Sequence, residues 1–228
     1  MKTIFFDLDD TLVNHSKAEE IAIKQLYANH FLGNSYNEFY NQWKEEKKYY
    51  WQLYEQKILT FDQHRIETIL AMKKRSNNNI TRDEAQNILL EYIAIYENSW
   101  ELFPYTLDML LYFKQNNVRM GVITNGNEKQ QYNKLLKNKL DTFFEKKLII
   151  ISEAVGFSKP EKNIFHLAQK SANILATEII YMGDNVKTDI EPVLKLGWTA
   201  VLVDHKRQYN KMNYPVIHSF EDTFYKNL

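Results

Sequence analysis

Short apolar runs occur at the beginning of the chain and again throughout its second half, from about residue 103 onward. They are rich in Ile, Val, Leu and aromatic residues, and stretches with helical spacing separate them. Short runs that are apolar on both faces are typical of buried parallel strands covered by helices. The pattern therefore predicts a doubly wound α/β fold with a parallel sheet. Its expected strands are Thr3–Phe6, Arg119–Ile123, Leu148–Ile151, Ile179–Met182 and Thr199–Val203.

The hydrophobic period changes between residues 16 and 100, where no strand pattern is visible. Apolar and aromatic side chains recur there at intervals of three and four, most clearly from Tyr36 to Tyr54, which is typical of helices. We expect a helical cap over 16–100, inserted into a core formed by 1–15 and 101–228. Capping-box sequences predict three helix starts in the cap, at Ser16, Thr60 and Thr81.

The composition excludes several classes of function. At 228 residues, 44% of them hydrophobic, the chain can form a core domain with an insertion. Its 29 basic and 29 acidic residues cancel without long blocks, which argues against a nucleic-acid groove or a membrane surface. The absence of cysteine excludes thiol nucleophiles and cysteine-ligated metals. Because the chain begins without a visible leader and no apolar run approaches about 18 residues, we expect a cytoplasmic protein. Its oligomeric state, monomer or homodimer, is left open by the sequence.

Three carboxylates follow directly after the first predicted strand, those of Asp7, Asp9 and Asp10. Carboxylates this crowded repel one another unless a cation lies among them, so the cluster indicates a metal site. Open α/β sheets bind ligands outside the carboxyl ends of their strands, which is where this cluster is expected. The alternative is an Asp-rich turn that caps the next helix.

The ends of three later strands carry groups suited to a phosphorylated ligand. The turn after the second strand offers a hydroxyl and backbone N–H groups that can hold a phosphate. A lysine follows the third strand, and two acids follow the fourth. Each group also has an ordinary alternative as a simple turn, a solvated lysine or a helix cap. The residues concerned are Thr124, Asn125, Gly126, Lys159, Asp184 and Asp189.

The order of these groups is more specific than any single one. After four consecutive predicted strands come, in this order, an acid pair, a hydroxyl, a lysine and a second acid pair, all expected at one edge of the sheet. In that order, and over nearly its whole length, the chain resembles the haloacid dehalogenase-like hydrolase superfamily, including a helical cap between the first two motifs. The matching segments are Asp7-Leu8-Asp9-Asp10-Thr11, Thr124-Asn125-Gly126, Lys159-Pro160, and Gly183-Asp184 with Asp189.

A narrower resemblance concerns the phosphatase branch of that superfamily. The segment 151–165 is similar to small-molecule phosphatases of the pyrimidine-nucleotidase and acylneuraminate-phosphatase types. Asn185 stands where many relatives carry Ser or Thr, a departure expected to tune the surroundings of the metal without abolishing binding. The resemblance implies a Rossmann-like core, an α-helical cap, a magnesium cofactor, and hydrolysis of a small phosphorylated metabolite such as a nucleoside monophosphate or a sugar phosphate.

The candidate residues permit a defined chemistry. Asp7 is predicted to be a nucleophile that forms an aspartyl-phosphate. Asp9, two positions along on the same side of the chain, is predicted to be the general acid and base. Lys159 offsets the charge between Asp7 and the phosphate, while Thr124 and the neighbouring N–H groups hold the phosphoryl oxygens. The predicted magnesium site consists of Asp7, Asp184, the backbone carbonyl of Asp9 and, either directly or from behind these ligands, Asp189.

Three alternative functions remain open at this point. A haloacid dehalogenase uses the same aspartate to attack carbon, but that class lacks the second motif aspartate, which is Asp9 here. A sugar phosphomutase keeps both aspartates and shields its phospho-enzyme from water. A regulatory module would keep the fold without the chemistry.

An aromatic cluster in the predicted cap bears on the choice of substrate. Tyr49, Tyr50 and Trp51 are adjacent, so they cannot all face inward from one helix. At least one ring is therefore a candidate to stack on a base or a sugar.

Overall fold

The computed structural model describes residues 2–31, 35–209, 212–221 and 225–226. No helix in this described part of the chain is long and apolar enough to cross a lipid bilayer. The strands are β1 Thr3–Phe6, β2 Arg119–Thr124, β3 Ile149–Ile151, β4 Ile179–Gly183, β5 Thr199–Val203 and β6 Val216–Ile217. The α-helices are α1 His15–His30, α2 Tyr36–Glu55, α3 Phe61–Arg75, α4 Arg82–Asn98, α5 Thr106–Gln115, α6 Glu128–Lys137, α7 Ser152–Val155, α8 Lys162–Ala172 and α9 Glu191–Lys195.

The chain divides into two compact units. One unit consists of Met1–His15 together with Glu101–Leu228 and contains the sheet, whereas the other spans Ser16–Trp100. The described residues of the second unit form helices and the turns between them. A helical segment therefore interrupts the α/β unit between β1 and β2.

The sheet runs in the order β3-β2-β1-β4-β5-β6 over the described residues, and all its strand pairs are parallel. The chain adds β2 and β3 on one side of β1 and then crosses over to build the other side. Right-handed crossovers in opposite directions place helices on both faces, so the predicted doubly wound α/β fold is confirmed. The order reverses between β1 and β4, and the carboxyl ends of those strands form the crevice where such sheets bind ligands.

Aromatic packing fixes the two central strands beneath that crevice. The ring of Phe5 on β1 stacks on Trp198 with a centroid separation of 5.9 Å. Phe165 of α8 meets Tyr181 of β4 and Trp198 edge-on, at 5.8 Å in each case. Burying each large apolar side chain stabilises the fold by about 1.5–3 kcal/mol, and the paired ring geometries add specificity. The strands that end at the crevice are therefore rigidly placed.

The observed ends of the strands differ by at most one residue from those predicted from the sequence, and one short strand was not predicted. The β2 and β4 strands each extend one residue beyond the prediction, and β3 begins one residue later than predicted. The short strand β6 was missed because two residues are too few to display a period. It pairs in parallel with β5 at one edge of the sheet.

The capping boxes of the helical unit were predicted correctly in two of the three places. Thr60 and Thr81 each accept a hydrogen bond from the third residue of the following helix, whose side chain bonds back to the cap. The prediction at Ser16 is wrong, because α1 already begins at His15 and Ser16 lies inside the helix.

The aromatic positions of α2 fall into two groups. Trp51 and Tyr54 each lie 5.4 Å, centroid to centroid, from the buried ring of His64. Burial in this apolar surrounding lowers the pKa of His64 to about 3, so the ring is neutral at physiological pH. Tyr49 is 56% exposed and meets Tyr50 edge-on. Trp51 therefore belongs to the packing of the helical unit, whereas the Tyr49 side chain is largely exposed.

We predict that Gly121→Ala lowers the free energy of unfolding by about 1–3 kcal/mol, the usual cost of overpacking a core. A methyl group at Gly121 would lie 2.6 Å from Cε1 of Phe5 and 2.7 Å from the backbone oxygen of Leu148, and neither atom can move freely. Urea unfolding measures the loss. Thr199→Ala, at the exposed first residue of β5, is the control and should change stability by less than about 1 kcal/mol. Equal stability of Gly121→Ala and wild type would contradict the close packing of β2.

Candidate active site

A buried lysine connects two aspartates at the carboxyl edge of the sheet. The Lys159 ammonium donates to Oδ1 of Asp7 at 2.6 Å, to Oδ1 of Asp189 at 2.7 Å and to the Tyr181 hydroxyl at 3.1 Å. The Lys159 side chain is 4% exposed and that of Asp189 1% exposed. Burial alone would lower the pKa of Lys159, but the carboxylates of Asp189 and Asp7 raise it well above its ordinary value. The lysine is therefore a permanent positive charge in the site.

A third carboxylate completes an acidic cluster beside that lysine. Single oxygen atoms of Asp7, Asp184 and Asp189 lie within 4.8 Å of one another. Burial raises the pKa of Asp7 well above its ordinary value; Lys159 opposes this rise, and the charges of Asp189 and Asp184 add to it. Burial and the nearby charge of Asp189 raise the pKa of Asp184 to about 7. The cluster carries more negative charge than its surroundings stabilise.

These oxygens fit a hard divalent cation. A small group of carboxylate oxygens, without nitrogen or sulfur, is the donor set that magnesium prefers. The raised pKa values of Asp7 and Asp184 mean that added positive charge would stabilise both carboxylates. Both oxygens of Asp189 already accept hydrogen bonds, one from Lys159 and one from the Asn185 amide at 3.0 Å.

The local backbone explains why these side chains converge. Asp7 follows β1 directly, and its amide donates to the Met182 carbonyl at 2.9 Å, which ties it to β4 at the switch point. Asp189 lies on a π-helical turn, Val186–Ile190, which begins after Asn185, and such turns are frequent at functional sites. A Cβ atom at Gly183 would lie 2.7 Å from the Asp189 side chain. Only glycine therefore lets the turn fold back onto β4.

Asn125 holds the loop that carries Lys159. Its side-chain amide donates to the Lys159 carbonyl at 2.9 Å, and its side-chain oxygen accepts from the Lys159 backbone N–H at 2.8 Å. The neighbouring Gly126 amide donates to the Ser152 hydroxyl at 2.9 Å. The side chain of Asn125 thus fixes the lysine loop against the turn after β2.

The Asp9 carboxylate lies in a different environment from that of Asp7. Lys134 of α6 donates to its two oxygens at 2.7 and 2.8 Å, and Gln131 donates to Oδ2 at 2.9 Å. Burial raises the pKa of Asp9, but the charge of Lys134, with help from His15, lowers it below its ordinary value overall. Gln131 also donates to the Thr124 hydroxyl at 2.6 Å, so Asp9 and Thr124 share one partner.

Most of the residues singled out in the sequence lie together at this edge of the sheet. Around Lys159 are Asp7 and Asp189, with Asp184 beside them, while Asp9 and Thr124 meet through Gln131. No separate signal in the sequence pointed to Tyr181, Gln131 or Lys134. A tyrosine inside an apolar strand and a Gln–Lys pair on a polar helix look like ordinary core and surface residues until the helix is placed.

The fold and this cluster of carboxylates around a buried lysine place the protein among enzymes of the doubly wound α/β class. The chain belongs to the haloacid dehalogenase-like hydrolase family, whose model matches residues 1–197. The resemblance noted from the four motifs is thereby confirmed.

Similar proteins include phosphatases and a nucleotidase. The chain is 31% identical over 204 residues to the glyceraldehyde 3-phosphate phosphatase of Pyrococcus furiosus, covering 88% of this chain and 80% of that protein. It is 33% identical over 96 residues to the pyrimidine 5'-nucleotidase YjjG of Escherichia coli, covering 41% of this chain and 42% of that protein. The crystal structure of the HAD-hydrolase YfnB of Bacillus subtilis bound to magnesium has the same fold, with a TM-score of 0.79 at 22% identity, covering 99% of this chain and 97% of that one.

We predict opposite effects of Asp184→Asn on the metal-free and the magnesium-loaded protein. Because the folded-state pKa of Asp184 is raised from 3.8 to about 7, its ionisation destabilises the metal-free protein increasingly as pH rises through that range. At pH 8 the variant should melt about 2 °C or more above metal-free wild type. Magnesium at about a hundred times its Kd should stabilise wild type by about 2.7 kcal/mol, a rise of roughly 5–10 °C, and should stabilise the variant far less.

Thermal unfolding with chelator and with magnesium measures both effects. Asp108→Asn, at an exposed position of α5, is the matched control and should respond to magnesium like wild type. An equal magnesium response in Asp184→Asn and wild type would show that the cation binds elsewhere.

Proposed function

We propose that the protein is a magnesium-dependent phosphatase of a small phosphorylated metabolite, acting through an aspartyl-phosphate. The observation that carries this proposal is the Lys159 ammonium between Asp7 and Asp189, with Asp184 beside them. A carboxylate attacks a phosphate ester only where positive charge screens both anions. This arrangement supplies that charge at the first carboxylate after β1.

In the first half of the reaction, an oxygen of Asp7 attacks phosphorus and the bond from phosphorus to the ester oxygen breaks. Asp9 must carry a proton for this step although Lys134 lowers its pKa, and it gives that proton to the departing alkoxide. The alcohol leaves, and the phosphoryl group is esterified to Asp7. Lys159 holds the Asp7 carboxylate at 2.6 Å, which orients the attacking oxygen and offsets its charge.

In the second half, water attacks the phosphorus of the aspartyl-phosphate. The Asp9 carboxylate takes the proton from this water, the bond between phosphorus and Asp7 breaks, and inorganic phosphate leaves. Asp7 is again a carboxylate and Asp9 is again protonated, so the cycle is closed. We assign the phosphoryl oxygens to Thr124 and the neighbouring backbone N–H groups of the turn after β2. The Asn125 side chain and the Gly126 amide are already bonded, to the Lys159 backbone and to Ser152.

The metal belongs to the same proposal. Asp7 and Asp184 would hold the magnesium ion together with the backbone carbonyl of Asp9, and Asp189 would orient the cluster from behind through Lys159 and Asn185. A bound magnesium ion supplies positive charge that screens the phosphate and the carboxylates from each other.

Asp9 and its surroundings favour a phosphatase over the alternatives. A dehalogenase needs no proton donor at this position, whereas here two side chains of α6 bond to the Asp9 carboxylate. A regulatory module would have no use for buried, paired charges, which cost free energy to desolvate. Similarity to a glyceraldehyde 3-phosphate phosphatase over 88% of the chain supports hydrolysis rather than phosphomutase chemistry.

The substrate class is argued from relatives and from the helical unit. The similar proteins suggest a triose phosphate or a pyrimidine nucleotide as substrate. We propose that Ser16–Trp100 acts as the cap that selects between such ligands, with Tyr49 as an exposed ring suited to stacking on a base.

We predict that Asp7→Asn abolishes phosphatase turnover while the protein stays folded, because an amide cannot form the phospho-enzyme. Release of inorganic phosphate from p-nitrophenyl phosphate, glyceraldehyde 3-phosphate and uridine 5'-monophosphate measures activity, and thermal unfolding verifies the fold. Asp108→Asn serves as the matched control and should retain wild-type turnover. Substantial turnover by folded Asp7→Asn would remove Asp7 from the nucleophile role.

A further prediction separates recognition from chemistry. If Tyr49 stacks on a base, Tyr49→Ala should lose about 1–3 kcal/mol of binding. The kcat/KM for uridine 5'-monophosphate should then fall about 5- to 150-fold, with p-nitrophenyl phosphate almost unaffected. Leu90→Ala, which removes an equally exposed apolar side chain in the same unit (56% exposed), should change neither value. Equal losses for both esters would make Tyr49 a structural residue and would favour the sugar-phosphate class.

A further inference from the structure

Two buried polar side chains of α6 hold the Asp9 carboxylate. The Lys134 ammonium donates to both carboxylate oxygens, at 2.7 and 2.8 Å, and to Oε1 of Gln131 at 2.9 Å. The Gln131 amide donates to Oδ2 of Asp9 at 2.9 Å. Lys134 is 1% exposed and Gln131 2% exposed. These contacts define one orientation of the carboxylate.

The position of the pair follows from helix geometry. Gln131 and Lys134 are three residues apart on α6, so they lie on the same face of the helix. The helix is capped by Asn127 and follows the turn after β2 within a few residues. Because Gln131 also bonds to the Thr124 hydroxyl at 2.6 Å, Asp9 keeps a fixed distance from the turn assigned to the phosphate.

Burial of Lys134 distinguishes it from other lysines of the same helix. Lys129 and Lys137 are exposed, as most lysines are. Removing an ammonium group from water costs several kcal/mol unless hydrogen bonds and an opposite charge compensate. A lysine that merely improved solubility would not be buried against a partly exposed aspartate.

We propose that Lys134 and Gln131 are positioning residues, which hold the Asp9 carboxylate in the orientation needed to pass a proton to the leaving oxygen and to take one from water. This inference rests on the function proposed above and extends it to two residues of α6. The competing explanation is that the pair only fastens α6 to the loop after β1.

The two explanations differ in how the loss depends on the leaving group. An alkoxide is a poor leaving group and needs a proton from Asp9, whereas p-nitrophenolate leaves readily without one. General acid and base catalysis is worth about 10²- to 10⁴-fold. Asp9 also activates water in the second half of the reaction, which is common to all esters, so the comparison uses kcat/KM, which reports only the steps up to departure of the alcohol. A misplaced Asp9 should therefore lower kcat/KM strongly for alkyl esters and little for aryl esters, while a loosened helix should lower both alike.

The experiment compares Lys134→Met, Lys134→Arg and Gln131→Leu with Asp9→Asn as reference and Lys129→Met as the matched control on the same helix. Each magnesium-loaded protein is assayed with p-nitrophenyl phosphate and with an alkyl ester, either glyceraldehyde 3-phosphate or uridine 5'-monophosphate, whichever wild type hydrolyses faster. Thermal unfolding accompanies every assay.

We expect Lys134→Met to lower kcat/KM for the alkyl ester about 10- to 100-fold and for the aryl ester less than about threefold. Gln131→Leu should show the same selectivity to a smaller extent. Lys134→Arg should keep the wild-type ratio of the two kcat/KM values, because it restores the charged donor. Lys129→Met should match wild type.

Equal losses of kcat/KM for both esters in Lys134→Met would overturn the inference and leave a structural tie. If Lys134→Met does not fold, Gln131→Leu decides by the same comparison. Selectivity in Asp9→Asn without selectivity in either α6 variant would overturn this inference alone. A wild-type protein that hydrolyses neither ester, or an unselective Asp9→Asn, would overturn the proposed function and the inference together.

Discussion

The structure of the site depends on one electrostatic constraint, the crowding of carboxylates where the order of the sheet reverses. Asp7 and Asp184 follow the adjacent strands β1 and β4, so the doubly wound topology itself brings them together. Asp189 returns to the same point on a π-helical turn. The Lys159 ammonium donates to two of these carboxylates, and its burial makes their mutual attraction stronger than it would be in water. The raised pKa values of Asp7 and Asp184 show that one lysine does not neutralise the cluster completely.

Gly183, Asn125 and Tyr181 hold the charged side chains of the cluster in place more than they stabilise the fold as a whole. Gly183 has no Cβ, because that atom would collide with Asp189. Asn125 uses both ends of its amide to hold the backbone of Lys159, so the lysine loop is attached to the neighbouring strand end. The Tyr181 hydroxyl accepts from Lys159 and lies 3.1 Å from the Ile123 carbonyl oxygen. The hydrogen bonds of Asn125 and Tyr181 replace contacts with water that the buried charged groups have lost.

The fold was largely predictable because its signals are local, whereas the supporting residues of the site depend on tertiary placement. Apolar runs indicated the strands near β1 to β5, and Thr60 and Thr81 marked helix starts through short-range capping. The order of the motifs also placed the acids and the lysine at strand ends. Nothing local distinguishes Lys134 from the exposed Lys129 on the same helix, since only the packing of α6 against the loop after β1 decides which is buried. At Ser16 the local pattern itself misled the prediction: the capping-box sequence is present, but α1 begins one residue earlier.

Two of the three aspartates that follow β1 are each paired with a buried lysine from a different element. Asp7 bonds to Lys159 and Asp9 to Lys134, and each ammonium donates three hydrogen bonds to oxygens. Together with Asp184 and Asp189, the fully ionised site would contain four carboxylates and two ammonium groups, a net charge of −2 that becomes −1 when Asp9 carries the proton required by the proposed mechanism. One divalent cation would offset that negative charge, and positive charge is also what a phosphate dianion requires before it can approach. The charge balance therefore supports a site in which the cation binds before or with the phosphate ester rather than after it.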